Sequence, residues 1–542
     1  MYVLGFNGNL GRTETHDPAA FLLRDGKIVY GAEEERFTRV KYAPGVLPAR
    51  AIRACLKAAA VSIDALDGVA FPQRTWGDEF SDRLRNFFQL EFGRAPRITF
   101  YDHHLSHAAS TFFGSGYPEA LVVTMDGSGD GVSTAVFSGA HGELRPRRLV
   151  HAPDSLGFFY SLATQFLGFV KNNDEYKVMA LAAYGTPRYD LAQVLCDADD
   201  GYQLDRAFLH PYFLRGYPRL FTKQEPIFSA RLVELLGTPR LPSEPLTQRH
   251  RDLAASVQAR LEEVVVRLVV SQLQASGARR LCLAGGVALN GCMNAAVAAV
   301  PALDAFYVPP VPHDAGCALG AAMLLTRELG GRPEPVTHAF HGDAYADDEI
   351  HDILGSSAVS FHDHGEEIVD VVVDELAKGR VVGWFQGPME IGPRALGGRS
   401  LLADPRLAAM KDRINRTIKQ REDFQPLAPT VLSAEAHRHF EFRGASPFMG
   451  LVVPAKPGSG EGLPAVIHVD GSARIQTLEP GSHPRYERLL RAWAELTGTP
   501  ILLNTSLNKR GEPIVRTPSE ALADLFSTAI DGVALGTCYV TK

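Results

Sequence analysis

The stretch "ALVVTMDGSGDGVSTAVFSGAHGELRPRRLV", residues 120–150, decides how this chain is built. An apolar run ends in a glycine-rich turn, and a second strand-like run follows. Another glycine-bearing turn leads to a third. The same plan opens the chain. "YVLGFNG" begins at Tyr2, and "PAAFLLRDGKIVYGAEEE" begins at Pro18, with Asp25-Gly26 between two strand-like runs. An Asp-Gly pair so placed is a strong hairpin signal. The two units lie about 120 residues apart. Such duplication predicts two lobes of similar build.

Further on, residues 251–277 carry apolar positions at spacings of three and four, the pattern of a helix. "RRLCLAGGVALNGCMNAAV" then reads as strand, glycine turn, helix. Gly285 and Gly286 let a ligand approach the backbone, and Asn290 offers a donor and an acceptor near the helix start. The alternative is a tight strand-to-helix packing turn. A polar turn after the first strand of each lobe resembles the actin–hexokinase superfamily. There, facing glycine-rich turns hold nucleotide phosphates on backbone N–H groups. The resemblance implies nucleotide contacts at Gly127, Gly129, Gly285, Gly286 and Asn290.

"YDHHLSHAAS", residues 101–110, holds His103, His104 and His107. His103 and His107 are spaced i, i+4 and share a helical face, the spacing that offers two imidazoles to one metal. His104 points elsewhere. Two acids could join the pair. Asp126 ends "LVVTMD", and Asp314 sits in "PPVPHDAGCALGAA" just before a small-residue helix. Two His and two Asp suit iron or manganese. Zinc is less favoured because no cysteine accompanies them. For Asp314 the competing role is helix N-capping.

The chain's 542 residues suggest two or three domains. Its net charge of −7 argues against a general grip on nucleic acid or an anionic membrane. The six cysteines form no CxxC and read as small buried side chains. The N-terminus lacks a signal-peptide pattern, and no apolar run approaches the ~18 residues of a membrane span. A cytoplasmic enzyme is expected.

Gly, Pro and charge interrupt the pattern around residues 330–350, which places a domain junction there and domains at 1–343 and 344–542. Beyond it lie "MEIGPRALGGRSLLADPR", "INRTIKQREDFQPLAPT", "HVDGSARIQTL" and "ILLNTSLNKRGEPIV". Arg394, Arg399, Lys419, Arg421 and Arg474 supply fixed positive charge. Asn504, Thr505, Ser506 and Asn508 follow an apolar strand. Such a cluster in an acidic protein suggests a pocket for a small polyanion; surface ion pairing is the plain alternative.

"HDPAAFLLRDGKIVYGAEEERFTRVKY", "HHLSHAAS", "MDGSGDG", "DEYKVMALAAYG", "GGVALN" and "PHDAG" occur in that order, followed by "GPRALGGRS", "HVDGSARIQT" and "NTSLNKRGEPIV". Together they resemble the NodU/CmcH family of O-carbamoyltransferases over nearly the whole chain. The resemblance implies an α/β protein with a two-lobed actin-like (Kae-type) N-terminal domain. It implies a YrdC-like twisted α/β C-terminal domain as well. It places His103, His107, Asp126 and Asp314 on metal-ligand positions, with iron preferred over manganese or zinc. It implies ATP with Mg²⁺, carbamoyl phosphate, and a small hydroxylated acceptor as in antibiotic or toxin biosynthesis. Carbamoyl-adenylate would form in the second domain and pass to the first. There His16 is the candidate base, with Glu14 and Lys41 as orienting groups. Two positions depart from the family. Ala180 replaces a frequent glycine, and Gln425 replaces a usual arginine, so no phosphate-binding role passes to Gln425.

The rivals are a threonylcarbamoyl-type tRNA-modifying enzyme and an actin-like kinase or ATP-binding switch. The acidic charge counts against tRNA, and the motif-rich second half counts against a bare kinase. Neither nucleic acid nor membrane is an expected partner, and a homodimer is compatible with the chain. Acceptor contacts are expected in the irregular region 192–247.

Overall fold

A computed structural model describes residues 1–8, 17–198, 201–211 and 226–542. Glu14 and His16, and part of the region expected to contact the acceptor, lie outside the described residues. The protein is a mixed α/β chain of two compact units. One comprises residues 1–27, 44–49 and 60–336, the other residues 28–43, 50–59 and 337–542.

The first unit is built on two sheets with one plan. In the first, β1 (Tyr2–Asn7) pairs antiparallel with β2 (Ala19–Arg24). After the Asp25-Gly26 turn, β3 (Lys27–Glu33) carries the chain into the second unit. On its other side β1 pairs parallel with β4 (Gly68–Phe71), and β4 with β5 (Ile98–Phe100). In the second sheet, β6 (Glu119–Gly129) takes the place of β1. It pairs antiparallel with β7 (Val132–Ala140), which pairs with β8 (Glu143–His151). The strands β9 (Leu195–Ala198) and β10 (Gly201–Leu204) form a separate ribbon. β6 then pairs parallel with β11 (Arg280–Ala284), and β11 with β12 (Ala305–Tyr307). The turns obey local chemistry. Asp25-Gly26, Asp130-Gly131 and His141-Gly142 each have both residues at positive φ, as two-residue hairpin loops of the primed type require.

Between the sheets run two helices of small residues, His103–Ser115 and Ala315–Glu328. Their backbones meet almost without side chains between them. A Cβ on Gly320 would stand 1.8 Å from the Ser106 carbonyl, and one on Gly5 of β1 would stand 1.9 Å from the Ala318 carbonyl. This close approach buries most of the histidine helix, His103, His104 and His107 included. The long helix Gln248–Ser276 matches the expected periodic run and ends at Gly277 in the left-handed conformation. Ala180 lies inside the helix Glu175–Ala182, where an L-residue is at ease, so the departure from glycine places no strain there.

The second unit carries a nine-stranded mixed sheet. Its order is Phe361–Asp363, Cys538–Thr541, Gly532–Leu535, Val382–Phe385, Arg399–Ala403, Ile501–Ser506, Ala428–Leu432, Ser472–Leu478 and Leu451–Pro454. The helices Ile368–Ala377 and Pro484–Thr497 pack on it through Val372, Leu376, Leu490 and Trp493, all buried against Trp384 and Leu502. Among the described residues no helix is long and apolar enough to cross a membrane.

Candidate functional site

In the first unit, Asp102 caps the histidine helix by accepting from the Leu105 N–H at 2.9 Å. Asp130 fixes the same helix from β6's turn. Its carboxylate accepts from the backbone N–H of His103 at 3.0 Å and of Arg74 at 2.9 Å. It also accepts from the N–H and hydroxyl of Thr75. So held, His103 and His107 aim both Nε2 atoms at one point, their ring centroids 4.7 Å apart.

Asp126 reaches that point because β6 bulges. Its register with β7 runs to Met125 and resumes only at Gly129, which leaves Asp126 outside the ladder. Ser155 holds the bulge by donating to the carbonyls of Asp126 and Gly127 at 3.0 and 2.7 Å. The N–H of Gly127 donates to Asp126 Oδ1 at 2.7 Å. That leaves Oδ2 for the imidazoles, 3.4 Å from His103 Nε2 and 3.1 Å from His107 Nε2.

Asp314 stands at the N-cap position of the helix Ala315–Glu328 but makes no side-chain cap. Its Oδ1 instead lies 3.6 Å from His103 Nε2 and 3.4 Å from His107 Nε2. Its carbonyl accepts from the side chain of Asn7, at the end of β1, at 3.1 Å. The geometry thus separates the two roles weighed for Asp314. The expected absence of cysteine needs correction. Cys317, one helical turn beyond Asp314, joins His103, His107 and Asp314 in a cluster whose ligand atoms lie within 4.8 Å of one another. The i, i+3 spacing of Asp314 and Cys317 on a helix start was the available signal.

Burial opposes charge on both imidazoles, yet the anions around them outweigh it and push both up to about 9. The same imidazoles hold Asp126 well below the usual carboxylate range despite its burial. This donor set fits a divalent cation: two imidazole nitrogens and two carboxylates converge, and a cation would take the place of the protons they share. His104 is set apart. It is fully buried, with Nδ1 2.7 Å from Thr124 Oγ1 and Nε2 3.0 Å from the Val132 carbonyl, and burial pushes it down to about 3.

The glycines around the site have packing reasons of their own. A Cβ on Gly129 would collide with the His103 ring at 2.0 Å, and one on Gly285, at φ 93°, with the Met125 carbonyl at 2.1 Å. On Gly286 it would press on Asp126 Oδ1 at 3.0 Å, and on Gly127 it would meet only the Phe158 ring at 3.4 Å. Asn290 caps the helix Gly291–Ala298 through the Met293 N–H and exchanges hydrogen bonds with Gln258 at 2.9 and 3.0 Å.

In the second unit, the polar residues after the strand Ile501–Ser506 form a socket. The Nζ of Lys419 donates to oxygens of Ser506 and Asn508, among them Ser506 Oγ at 3.2 Å and the Asn508 carbonyl at 3.1 Å. Asn508 is itself held by the carbonyls of Lys509 and Glu512. Burial pushes the Lys419 ammonium well below its usual range, and Arg421 and Lys41 add to the effect. Lys41, within the second unit, is thus one of the charges that bear on Lys419. Asp524, on the helix Pro518–Ser527, completes this surrounding. It lies 3.7 Å from Lys509 Nζ, and burial pushes it up to about 6.

The remaining residues divide. Arg421 donates to Asn415 Oδ1 at 2.8 Å, and Arg394 and Arg474 are half-buried. Arg399 is fully buried and stacked on Phe385. Its terminal nitrogens donate to the carbonyls of Gln386, Gly387, Gly398 and Asp343. Asn504 is buried in a network with Thr430, Gln476 and the Ala395 carbonyl. Both take part in the internal network of the second unit, while Arg399 Nε and Asn504 Oδ1 are left without a partner among the described residues. Gln425 is buried against Glu422, and its carbonyl accepts from Asn415.

The chain is matched by family models described as Carbamoyltransferase N-terminus, over residues 77–323, and Carbamoyltransferase C-terminus, over residues 373–542. An uncharacterized protein of Synechocystis sp. is 37% identical over 97% of this chain and 95% of its own. The nodulation protein NolNO of Sinorhizobium fredii is 35% identical over 100% of this chain and 83% of its own. A 3'-hydroxymethylcephem-O-carbamoyltransferase of Amycolatopsis lactamdurans is 28% identical over 97% and 98%. A two-unit α/β enzyme with an imidazole–carboxylate centre in one unit and a lysine socket in the other thus belongs to the NodU/CmcH family of carbamoyltransferases.

Proposed function

We propose that this enzyme is an ATP-dependent O-carbamoyltransferase acting on a hydroxyl of a small metabolite. Its first domain, residues 1–343, would be actin-like and carry the transfer. Its second, residues 344–542, would be YrdC-like and make the activated donor. Water cleaves carbamoyl phosphate there to carbamate and inorganic phosphate, and a carbamate oxygen then attacks the α-phosphorus of ATP, displacing pyrophosphate to form carbamoyl-adenylate. Lys419 in its socket, with Arg394, Arg421 and Arg474, neutralises the crowded phosphates, and Mg²⁺ accompanies ATP. Ser506 and Asn508 hold Lys419 at a fixed point, so little rearrangement is needed as charge moves.

In the first domain an acceptor hydroxyl attacks the carbamoyl carbon and AMP leaves. His103, His107, Asp126 and Asp314 would hold a divalent metal, with iron preferred; Cys317 beside them brings zinc back into consideration. When bound, such a metal supplies Lewis-acid polarisation of the carbonyl or phosphate oxygen. His16 is proposed from the sequence alone as the base for the hydroxyl, with Glu14 and Lys41 as groups that orient the acceptor or the leaving group. The relative named as a cephem O-carbamoyltransferase supports a hydroxylated acceptor of the antibiotic type.

The observation that carries this reading is that each unit has its own polar centre of distinct chemistry. The test is incubation of purified enzyme with ATP and labelled carbamoyl phosphate, without acceptor. Carbamoyl-AMP or its breakdown products should form, and Arg394→Ala should abolish them. ATP consumption that needs threonine and bicarbonate would contradict the proposal. A mass-spectrometric screen of candidate alcohols for the gain of one carbamoyl group then identifies the acceptor.

A further inference from the structure

Among the described residues, Cys317 is the one cysteine whose sulfur converges with histidine and carboxylate groups. Its Sγ lies with ligand atoms of His103, His107 and Asp314, all within 4.8 Å of one another. That span is about twice a metal–ligand bond of roughly 2.0–2.3 Å, so one ion between the four atoms reaches all of them with small shifts.

Packing fixes the sulfur at this place. The helix Ala315–Glu328 lies flush against its neighbours at Gly316 and Gly320. A Cβ on Gly316 would stand 2.0 Å from the Val311 carbonyl, and one on Gly320 would strike the histidine helix at Ser106. Asp314 and Cys317, one turn apart at the start of this helix, therefore face the same imidazoles. The Sγ stands 3.8 Å from the His103 carbonyl, a weak contact for a thiol. The plain alternative is a small side chain filling a gap. Cys282 has that role, packed in an apolar cluster with Ala108, Phe112 and Val122. The surroundings of Cys317 are different in kind, two imidazoles and a carboxylate.

Cys317 is fully buried. A buried thiol stays protonated unless a cation compensates the thiolate, and a thiol that coordinates a cation is deprotonated outright. Its proton passes to solvent as the ion enters. We propose that Cys317 is a thiolate ligand of the divalent metal in the first unit. This rests on the reading of His103, His107 and Asp314 as ligands of that metal, and adds a soft donor to them. With sulfur in the set, the centre prefers zinc, iron(II) or cobalt(II) to manganese or magnesium.

The probe is cobalt(II), exchanged anaerobically into the full-length protein after dialysis against a chelator. A thiolate on cobalt gives an intense near-ultraviolet charge-transfer band, whereas nitrogen and oxygen donors give only weak visible bands. The wild type should show the intense band. Cys317→Ser and Cys317→Ala should lose it and keep the visible bands at saturating cobalt, and Cys282→Ser should retain both. Zinc affinity should fall about tenfold or more in the Cys317 variants, since even partners one step further from a metal are worth that much. Manganese affinity should change less. Circular dichroism checks that each variant is folded, and the two Cys317 variants stand in for one another if one is not. A wild type that holds cobalt without the intense band overturns the proposal, as does a band that survives in a folded Cys317 variant. A wild type that takes up no cobalt by elemental analysis overturns the metal reading along with it, so the two failures are told apart. Neither readout depends on ATP or carbamoyl phosphate.

Discussion

At the scale of single residues, the imidazole pair and the two carboxylates are interdependent charges. His107 is fully buried, and its Nε2 contacts both Asp126 and Asp314. His107→Ala is expected to lower bound divalent metal at least tenfold, as read by elemental analysis of dialysed protein, and to leave two carboxylates repelling one another. Asp524 gives a second prediction. Its folded pKa of about 6 stands above the ordinary carboxylate value, because burial and Glu512 outweigh Lys509. The folded state therefore holds a proton that the unfolded chain has already lost. Stability falls as pH rises from about 4 to 6, by roughly 2–3 kcal/mol. Asp524→Asn should flatten that part of the stability profile, and urea unfolding at pH 4.5, 5.5 and 7 measures it. An unchanged profile would refute the assignment. At this scale the sequence was a good guide wherever spacing alone places a side chain, as with His103 and His107. For Cys317 the only signal was its i, i+3 spacing from Asp314, a weak one, because a lone cysteine near a helix start looks the same whether it packs or ligates.

Among elements, the site depends on how closely two helices and one strand end approach. Asp130 sits in the glycine-rich turn after β6, beside Gly129. Its carboxylate gathers N–H groups from the starts of two helices, Thr75–Phe92 and His103–Ser115. Asp130→Ala removes all of these acceptors at once. A lost N-cap costs about 1 kcal/mol, so about 1–3 kcal/mol is expected here. The melting temperature should fall by several degrees, with Asp130→Asn restoring part of the loss. Gly320 answers a different question, the tolerance of the helix crossing. Its missing side chain lets the Ser106 carbonyl approach, so Gly320→Val should overpack the contact, destabilise by at least ~2 kcal/mol and weaken metal binding as the histidine helix is displaced. A variant with wild-type stability and metal content would contradict that account. The duplicated strand plan was visible in the sequence through its turn chemistry, since Asp-Gly and glycine-rich turns announce hairpins. The β6 bulge that frees Asp126 was not, because a bulge changes register without changing composition.

For the whole molecule, the unexpected feature is the membership of residues 28–43 and 50–59, which cluster with the C-terminal half. No composition break marks them in the sequence. Their assignment comes from long-range contacts, such as Arg36 donating to the Gly392 carbonyl at 2.7 Å and Arg39 to the Ile514 carbonyl at 2.8 Å. Such contacts join positions hundreds of residues apart, which periodicity cannot reveal. The consequence is that Lys41, expected beside His16 in the transfer site, acts electrostatically on Lys419. If the two units divide the chemistry as proposed, single substitutions should divide it too. His107→Ala should retain carbamoyl-phosphate-dependent pyrophosphate release near the wild-type rate yet lose carbamoyl transfer at least a hundredfold. Lys419→Ala should lose both, because transfer has no donor without adenylate, and synthetic carbamoyl-adenylate should rescue its transfer. Lys41→Ala should follow Lys419 in lowering pyrophosphate release, and the same donor should rescue it. If His107→Ala and Lys419→Ala lose pyrophosphate release equally, the two-centre reading fails. If Lys41→Ala loses only transfer, Lys41 returns to the role first expected of it beside His16.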